Sequence, residues 1–299
     1  MPELRIATPD GFAFQHAVVS HGWYHLAPFR WDGTSLHRTE LLDADAIDLV
    51  IRRDGASLVV RSREPLRPHR VRLEQRLSRM FQLQLDLEDF HARCRRSPAN
   101  AVVAEQGYGR LLCGSTLFED IVKIIATTNT TWAQTVRMTG LLVDRCGTRS
   151  ASGTAAFPEP AAVAAVPASD LQEECRLGYR AKSIHTLASG IVDGTIDLAK
   201  VADQEQTTAE LFKSYQQLPG IGPYGAAHLL AMDGRHDFIA VDTEFRRFVR
   251  ERYHHGRKVS DKTMVRRYAS WGRWQYLAFW SELWNELTKI DKRVKDGAQ

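Results

Sequence analysis

The residues of this sequence that can do chemistry together are a short turn and a carboxylate. Leu218-Pro219-Gly220-Ile221-Gly222 makes the chain reverse, and Pro223 follows where a helix best tolerates proline, at its first position. Thr208 to Gln217 reads as the helix before the turn, giving helix, hairpin, helix. The glycines let one backbone approach another closely, and the start of the second helix presents unpaired N–H groups with partial positive charge. Such an end grips phosphate without reading sequence, although a turn of this kind alone is often only a helix stop. Asp242 comes twenty residues after Gly222, behind the apolar approach Phe238-Ile239-Ala240-Val241, and opens a further helix. Taken alone it is an N-cap. Behind a phosphate-gripping hairpin it is also a carboxylate set beside a phosphodiester backbone, and one side chain can serve both purposes.

Several elements must hold these residues. From Leu4 to about Arg63 the pattern predicts strands: Phe12-Ala13-Phe14, Ala17-Val18-Val19, Ile47 to Ile51 and Leu58-Val59-Val60, separated by turn signals at Asp32-Gly33 and Asp54-Gly55. After Pro65 and Pro68 the spacing becomes helical, with Leu73, Leu77, Met80 and Phe81 on one face, and the remainder reads as almost wholly helical. Thr116-xx-Glu119 and Ser169-xx-Gln172 are expected capping boxes. The first leads into a buried helix that ends in Thr127-Thr128-Asn129-Thr130-Thr131. A further helix runs from Trp132 to Cys146, stopped by Gly147. Ala151 to Pro167, rich in Ala and Pro, is a connector. The expected fold class is α+β, a mostly helical body with an N-terminal antiparallel sheet, divided as 1–100 for the sheet with its following helix and 101–299 for the body that carries the hairpin at 218–222.

The 299 residues are 43% apolar, enough for one large core or two moderate ones. A net charge of +4 suits a nucleic-acid partner without requiring one. From Arg246 to Arg267 there are nine Lys or Arg and two acids, a stretch that can neutralise phosphates or simply form a solvated face. Neither a signal-peptide stretch nor eighteen consecutive apolar residues occur, so the expectation is a soluble protein inside the cell, cytoplasmic or nucleoid-associated. Cys94, Cys113, Cys146 and Cys175 are widely spaced and are expected to be reduced and buried rather than metal ligands.

At these residues the sequence resembles the helix-hairpin-helix (HhH-GPD) DNA glycosylase superfamily, and within it the 8-oxoguanine and 3-methyladenine branches. Gly114-Ser115-Thr116-Leu117-Phe118-Glu119 leading to Thr128-Asn129-Thr130-Thr131-Trp132-Ala133, and Leu177-Gly178-Tyr179-Arg180-Ala181-Lys182, resemble segments of the 8-oxoguanine branch; the hairpin and Val241-Asp242 follow in the expected order. The resemblance implies a TBP-like N-terminal sheet domain and double-stranded DNA with a damaged base as partner, bound by a monomer. Bifunctional members carry a lysine two residues beyond the last hairpin glycine, where this chain has Tyr224. A phenol cannot form a Schiff base, so the resemblance implies a monofunctional enzyme that uses water. The base must leave the stack to be attacked. Asp242 would then stabilise the oxocarbenium-like sugar and orient or deprotonate water.

The same resemblance assigns further expectations. Asn129 fills the gap left by the flipped nucleotide, or is a turn residue. Gly220, Ile221, Gly222, Pro223 and Arg246 contact DNA; Tyr224, His228, Trp132 and Trp274 line the base pocket, although a Trp on a C-terminal helix is often core and His228 is readable as a packed histidine. The backbone carbonyls of Gln216, Leu218 and Ile221 are candidates for a structural monovalent cation; no cofactor is required, and the closely spaced C-terminal cysteines of an iron–sulfur cluster do not occur after Cys175. Aromatic walls without evident polar readers favour an alkylated purine, whose positive charge strengthens stacking. The alternatives are 8-oxoguanine or another modified base, or a non-catalytic DNA-binding module that keeps only the hairpin.

Overall fold

The computed structural model describes residues 1–97 and 100–296, with side chains as far as Glu286. Five antiparallel strands, β1 (Glu3–Ala7), β2 (Arg30–Trp31), β3 (Leu36–Leu42), β4 (Asp45–Asp54) and β5 (Ser57–Arg61), form one sheet in the order β1-β5-β4-β3-β2. The Asp54↔Ser57 pairing leaves Gly55-Ala56 as a two-residue hairpin loop, as the Asp-Gly signal demands. Ile47, Leu49 and Ile51 alternate inward along β4, giving the sheet one buried face.

The helices are α1 (Phe14–Val18), α2 (Arg70–Met80), α3 (Glu88–Arg95), α4 (Ala101–Glu105), α5 (Leu117–Thr127), α6 (Trp132–Cys146), α7 (Pro160–Ala164) and α8 (Ala168–Glu174). They continue as α9 (Arg180–Val192), α10 (Leu198–Val201), α11 (Thr208–Gln216), α12 (Pro223–Met232), α13 (Thr243–His254), α14 (Asp261–Arg266) and α15 (Gln275–Asp296). The architecture is α+β and mostly helical, with the sheet at the N-terminus. Its largest apolar cluster runs from Leu4 through Ile121 to Met232, so sheet and helices share one core.

Three local expectations fail. Phe12 to Phe14 and Ala17 to Val19 form no strand. Phe14, Ala17 and Val18 instead bury one face of α1, an i, i+3, i+4 spacing that outweighs the β preference of Val and Phe, and Phe14 packs on Phe81 at 5.5 Å. Ser169 caps nothing: α8 begins at Ala168 directly behind Pro167, so Ser169 already lies inside the helix and its hydroxyl donates to Asp170. Thr116 does accept from the Glu119 N–H at 3.1 Å, but the Glu119 carboxylate does not return to Thr116. Reciprocal capping boxes occur instead at Thr131 with Gln134 and Thr207 with Glu210.

Glu119 turns inward because two cations await it. Its carboxylate accepts from Lys123 Nζ at 2.6 Å and from Arg38 of β3 at 3.1 Å, all three side chains being buried. Arg38 also meets Glu40, which Arg76 reaches from α2 at 2.8 Å. Removing one member of such a cluster leaves a buried charge unpaired. Glu119→Gln is expected to lower the urea-derived unfolding free energy by about 3 kcal/mol or more, whereas Glu74→Gln, which breaks only the exposed pair with Arg70, changes it by less than about 1 kcal/mol.

Candidate active site

The hairpin joins α11 to α12 through a turn only glycine accommodates. Gly220 has φ +79°, and a Cβ there would stand 2.8 Å from Ser183 Cβ on α9, so the turn is pressed against that helix. The Ile221 N–H donates to the Leu218 carbonyl at 3.1 Å, which uses part of one of the oxygens expected to face a cation. Gly222 is the N-cap of α12 and Pro223 its first residue, so the end of α12 has no side-chain cap over its free N–H groups.

Asp242 is the N-cap of α13, its Oδ1 accepting from the Phe245 N–H at 2.7 Å. Capping and placement beside the hairpin therefore coexist. Burial raises its carboxyl above the usual carboxylate range, with Phe245 N–H pulling the other way. Tyr224, one residue into α12, is partly buried; burial and then the neighbouring Asp242 charge push its phenol up to about 12, and Thr127 at the end of α5 hydrogen-bonds to it. His228 follows one turn later, its ring 5.9 Å from that of Tyr224 and stacked on it.

Further rings join these two from distant parts of the chain. Tyr276 on α15 places its hydroxyl 3.4 Å from His228 Nδ1, and Trp280 stacks on Tyr276 at 5.8 Å. The loop after α1 contributes His21, 6.0 Å from His228, and Trp23, 6.4 Å from it. Trp280 Nε1 donates to the Ser20 carbonyl at 2.8 Å and so ties α15 to that loop. Tyr224, Asp242 and Trp280 are partly exposed, while His21, Trp23, His228 and Tyr276 lie buried behind them. The sequence offered little sign of His21 and Trp23. The one signal was Gly22 between them, where a Cβ would fall 2.5 Å from the Trp132 ring.

Trp132 accordingly packs over Gly22, at the edge of the group, with 41% of its surface exposed. Trp274 is not brought to the Tyr224–His228 rings. It is 2% exposed, its Nε1 donates to Asp89 at 2.7 Å, and it packs on Phe90 and His236. Arg246 lies on α13 and is engaged by Asp261 through two hydrogen bonds of 2.9 and 2.8 Å. Asn129 adopts φ +47°, follows α5 and donates to the Tyr179 hydroxyl at 3.3 Å; Tyr179 itself is 62% exposed, and Arg180 holds the Thr128 carbonyl. A cavity of about 590 Å³ opens at the other end of α12, among Arg79, Asp233 and His236. Among the described residues no group of three or more His, Cys, Asp or Glu is arranged to hold a metal, and no helix is long and apolar enough to cross a membrane.

A family model for the HhH-GPD superfamily base excision DNA repair protein matches residues 122–274, just over half of the chain. The chain belongs to that superfamily. The matched span holds α12, the hairpin and Asp242, so this HhH-GPD protein is a base-excision DNA glycosylase by family. Its fold is similar to that of the 3-methyladenine DNA glycosylase from Archaeoglobus fulgidus, at TM-score 0.74 and 19% identity, covering 96% of this chain and 99% of that one. It is also similar to the Clostridium acetobutylicum 8-oxoguanine glycosylase/lyase in its apo form, at TM-score 0.71 and 17% identity over 94% of this chain and 95% of that one. No curated protein matches the sequence.

Burial holds the histidines neutral: His21 and His236 are pushed down to about 3 and His228 to about 4. Each folded-state value lies below the unfolded one, so the unfolded state binds more protons and stability falls as pH drops from about 6.5. His236, 1% exposed, sits between the Trp274 and Tyr276 rings with neither nitrogen hydrogen-bonded. His236→Phe should therefore raise the unfolding free energy at pH 7. Between pH 6 and 5 it should also reduce the pH slope by about 1.4 kcal/mol per unit, measured by urea titration; an unchanged slope would contradict the buried neutral imidazole.

Proposed function

We propose that this protein is a monofunctional glycosylase that removes an alkylated purine from double-stranded DNA, acting as a monomer. Tyr224 carries the reading. It occupies the hairpin position where a bifunctional enzyme holds its nucleophilic amine, and its phenol stays protonated beside Asp242. The buried Lys123 is engaged by Glu119 and lies against the Phe29 ring at 4.4 Å, so no amine stands free beside Asp242 among these groups.

The chemistry follows from what the site lacks as well as what it holds. The bond from C1′ to the base nitrogen breaks with its electron pair leaving on the base, and an oxocarbenium-like sugar develops. The ionised Asp242 carboxylate offsets that positive charge; water adds to C1′ and gives up a proton, which Asp242 accepts. His21 and His228 are neutral and the tyrosines are far weaker acids than at the surface, so these groups supply no proton to the departing base. A purine already cationic through N-alkylation needs none, since it leaves as a neutral molecule. The uncapped start of α12 suits a phosphate of the same strand, and Asn129 with exposed Tyr179 suits the gap behind a flipped nucleotide.

The test uses methylated duplex DNA. The wild-type protein should release purine bases and leave strands that break only after alkali, and borohydride should trap no protein–DNA adduct. Asp242→Asn should slow release by at least about 100-fold. Strand breaks without alkali, a trapped adduct, or an Asp242→Asn variant as active as wild type would overturn the proposal.

A further inference from the structure

The positive charge of this chain is concentrated in one stretch. Residues 246–267 hold nine Lys or Arg and two acids, a net +7 against +4 for the whole chain, so the residues outside that stretch sum to −3. The structure folds the first part of the stretch into α13 and lines one cleft with it. Thr243, Arg246, Arg247 and Arg250 recur at i, i+3, i+4 and i+7 on that helix, opposite the buried Phe245, Phe248 and Val249. With Gly256 they surround a cavity of about 250 Å³. The carboxylates nearby leave part of this charge unpaired. Arg247 takes Glu244 at 2.9 Å and Glu251, itself at the cleft, at 2.8 Å. Arg246 takes Asp261 through Nε and Nη2, which leaves Nη1 without a protein partner among the described residues. Arg250 joins no ion pair among the described residues, and its Nε is buried with no hydrogen-bond partner; Asp261 acts on it only through its field. Arg257 and Lys258, both exposed, follow Gly256 directly.

An unpaired guanidinium, a second with a free N–H and the exposed Thr243 hydroxyl are donors around one cleft, the chemistry that binds phosphate oxygens. Helix geometry fixes how far the cleft lies from Asp242. Asp242 caps α13, so a rise of about 1.5 Å per residue puts Arg246 about 6 Å and Arg250 about 12 Å along the axis from it. Arg246 is close enough for its charge to act on the Asp242 carboxyl. One DNA strand carries a phosphate every ~3.4 Å of duplex axis, so a strand whose sugar is held at Asp242 brings phosphates to the cleft within about three nucleotides. We propose that the α13 cleft, through Arg250 above all, binds a backbone phosphate of the lesion strand within about three nucleotides of the flipped one. The inference rests on the reading that Asp242 faces the sugar of the flipped nucleotide. This contact is a second grip beside that of the hairpin, equally blind to sequence, and it gives the basic stretch a function that a merely solvated face lacks.

The experiment measures binding of an uncleavable duplex with a pyrrolidine in place of the damaged nucleotide, in which single phosphates of the lesion strand are replaced in turn by neutral methylphosphonate. In the wild type at least one replacement within about three nucleotides of the pyrrolidine should weaken binding at least about fivefold. Arg250→Gln should bind the unmodified duplex at least about fivefold more weakly and should no longer respond to one of those replacements, while the others still count. Its slope of log K against log salt should be shallower by about 1. Arg250→Lys keeps the charge and should keep most of the slope. Arg53→Gln, which removes an equal charge from the exposed end of β4, should leave the slope and the pattern of sensitive phosphates as in wild type. Arg246→Gln, made separately, reads the same pattern should Arg250→Gln fail to fold. No sensitive phosphate within that range, a pattern unchanged in both Arg250→Gln and Arg246→Gln, or a slope lowered as much by Arg53→Gln as by Arg250→Gln would overturn the inference. A wild type that binds the pyrrolidine duplex no more tightly than an undamaged one would instead defeat the reading of Asp242 beneath it.

Discussion

The Glu119 carboxylate is the point on which the remainder of the structure depends. It is buried, it lies in the first turn of α5, and it is shared by Arg38 from the sheet and Lys123 from the next turn of its own helix, so three charges that would each be costly alone hold one another in place. The consequence is mechanical. The sheet is fixed to the start of α5, and the far end of that helix supplies Thr127 to Tyr224 and the turn that carries Asn129. Lys123 also lies 5.3 Å from the Trp23 ring, so the same cluster supports the loop that brings His21 and Trp23 to His228. The sheet is thus no appendage to the helical body: it places one wall of the candidate pocket.

The site itself combines two helix starts and a set of neutral rings. The uncapped end of α12 and the Asp242-capped end of α13 both concentrate backbone N–H groups, one left for an external anion and the other satisfied by a carboxylate. The imidazoles and phenols behind Asp242 have been driven to their uncharged forms, imidazoles downward and phenols upward, by burial above all, while Glu244 and Arg246 place charge beside it on α13. On the side of those rings the Asp242 carboxylate is less screened than in water, which strengthens its attraction for positive charge developing there. In the proposed reaction this arrangement suits a leaving base that brings its own charge.

How much of this the sequence disclosed depended on how local each feature is. The hairpin, Pro223 and the Asp242 cap lie within short segments whose conformation is set by their own residues, and they were legible. The helix from Trp132 to Cys146 was legible for the same reason. The stretch from Phe12 to Val19 was not, because Phe, Ala and Val satisfy either period and only packing on Phe81 decides for α1. Ser169 carried the right letters for a cap one residue too late behind Pro167. Of the ring cluster only Tyr224 and His228, one turn apart on α12, were within reach, since His21 and Tyr276 join them only in three dimensions. Trp274 and Tyr276, two residues apart at the entry to α15, show the limit most sharply: one faces Asp89 and the core, the other His228, and composition alone does not set which.

The central claim is that an ionised Asp242, backed by neutral buried rings, stabilises positive charge at the sugar. The most direct measurement compares binding of two uncleavable duplexes, one carrying a cationic pyrrolidine and one a neutral tetrahydrofuran in place of the damaged nucleotide. The wild type should bind the pyrrolidine duplex at least about tenfold more tightly, and Asp242→Asn should remove the difference while retaining affinity for the neutral duplex. Equal binding of both duplexes by wild type, or a preference that survives in Asp242→Asn, would contradict it.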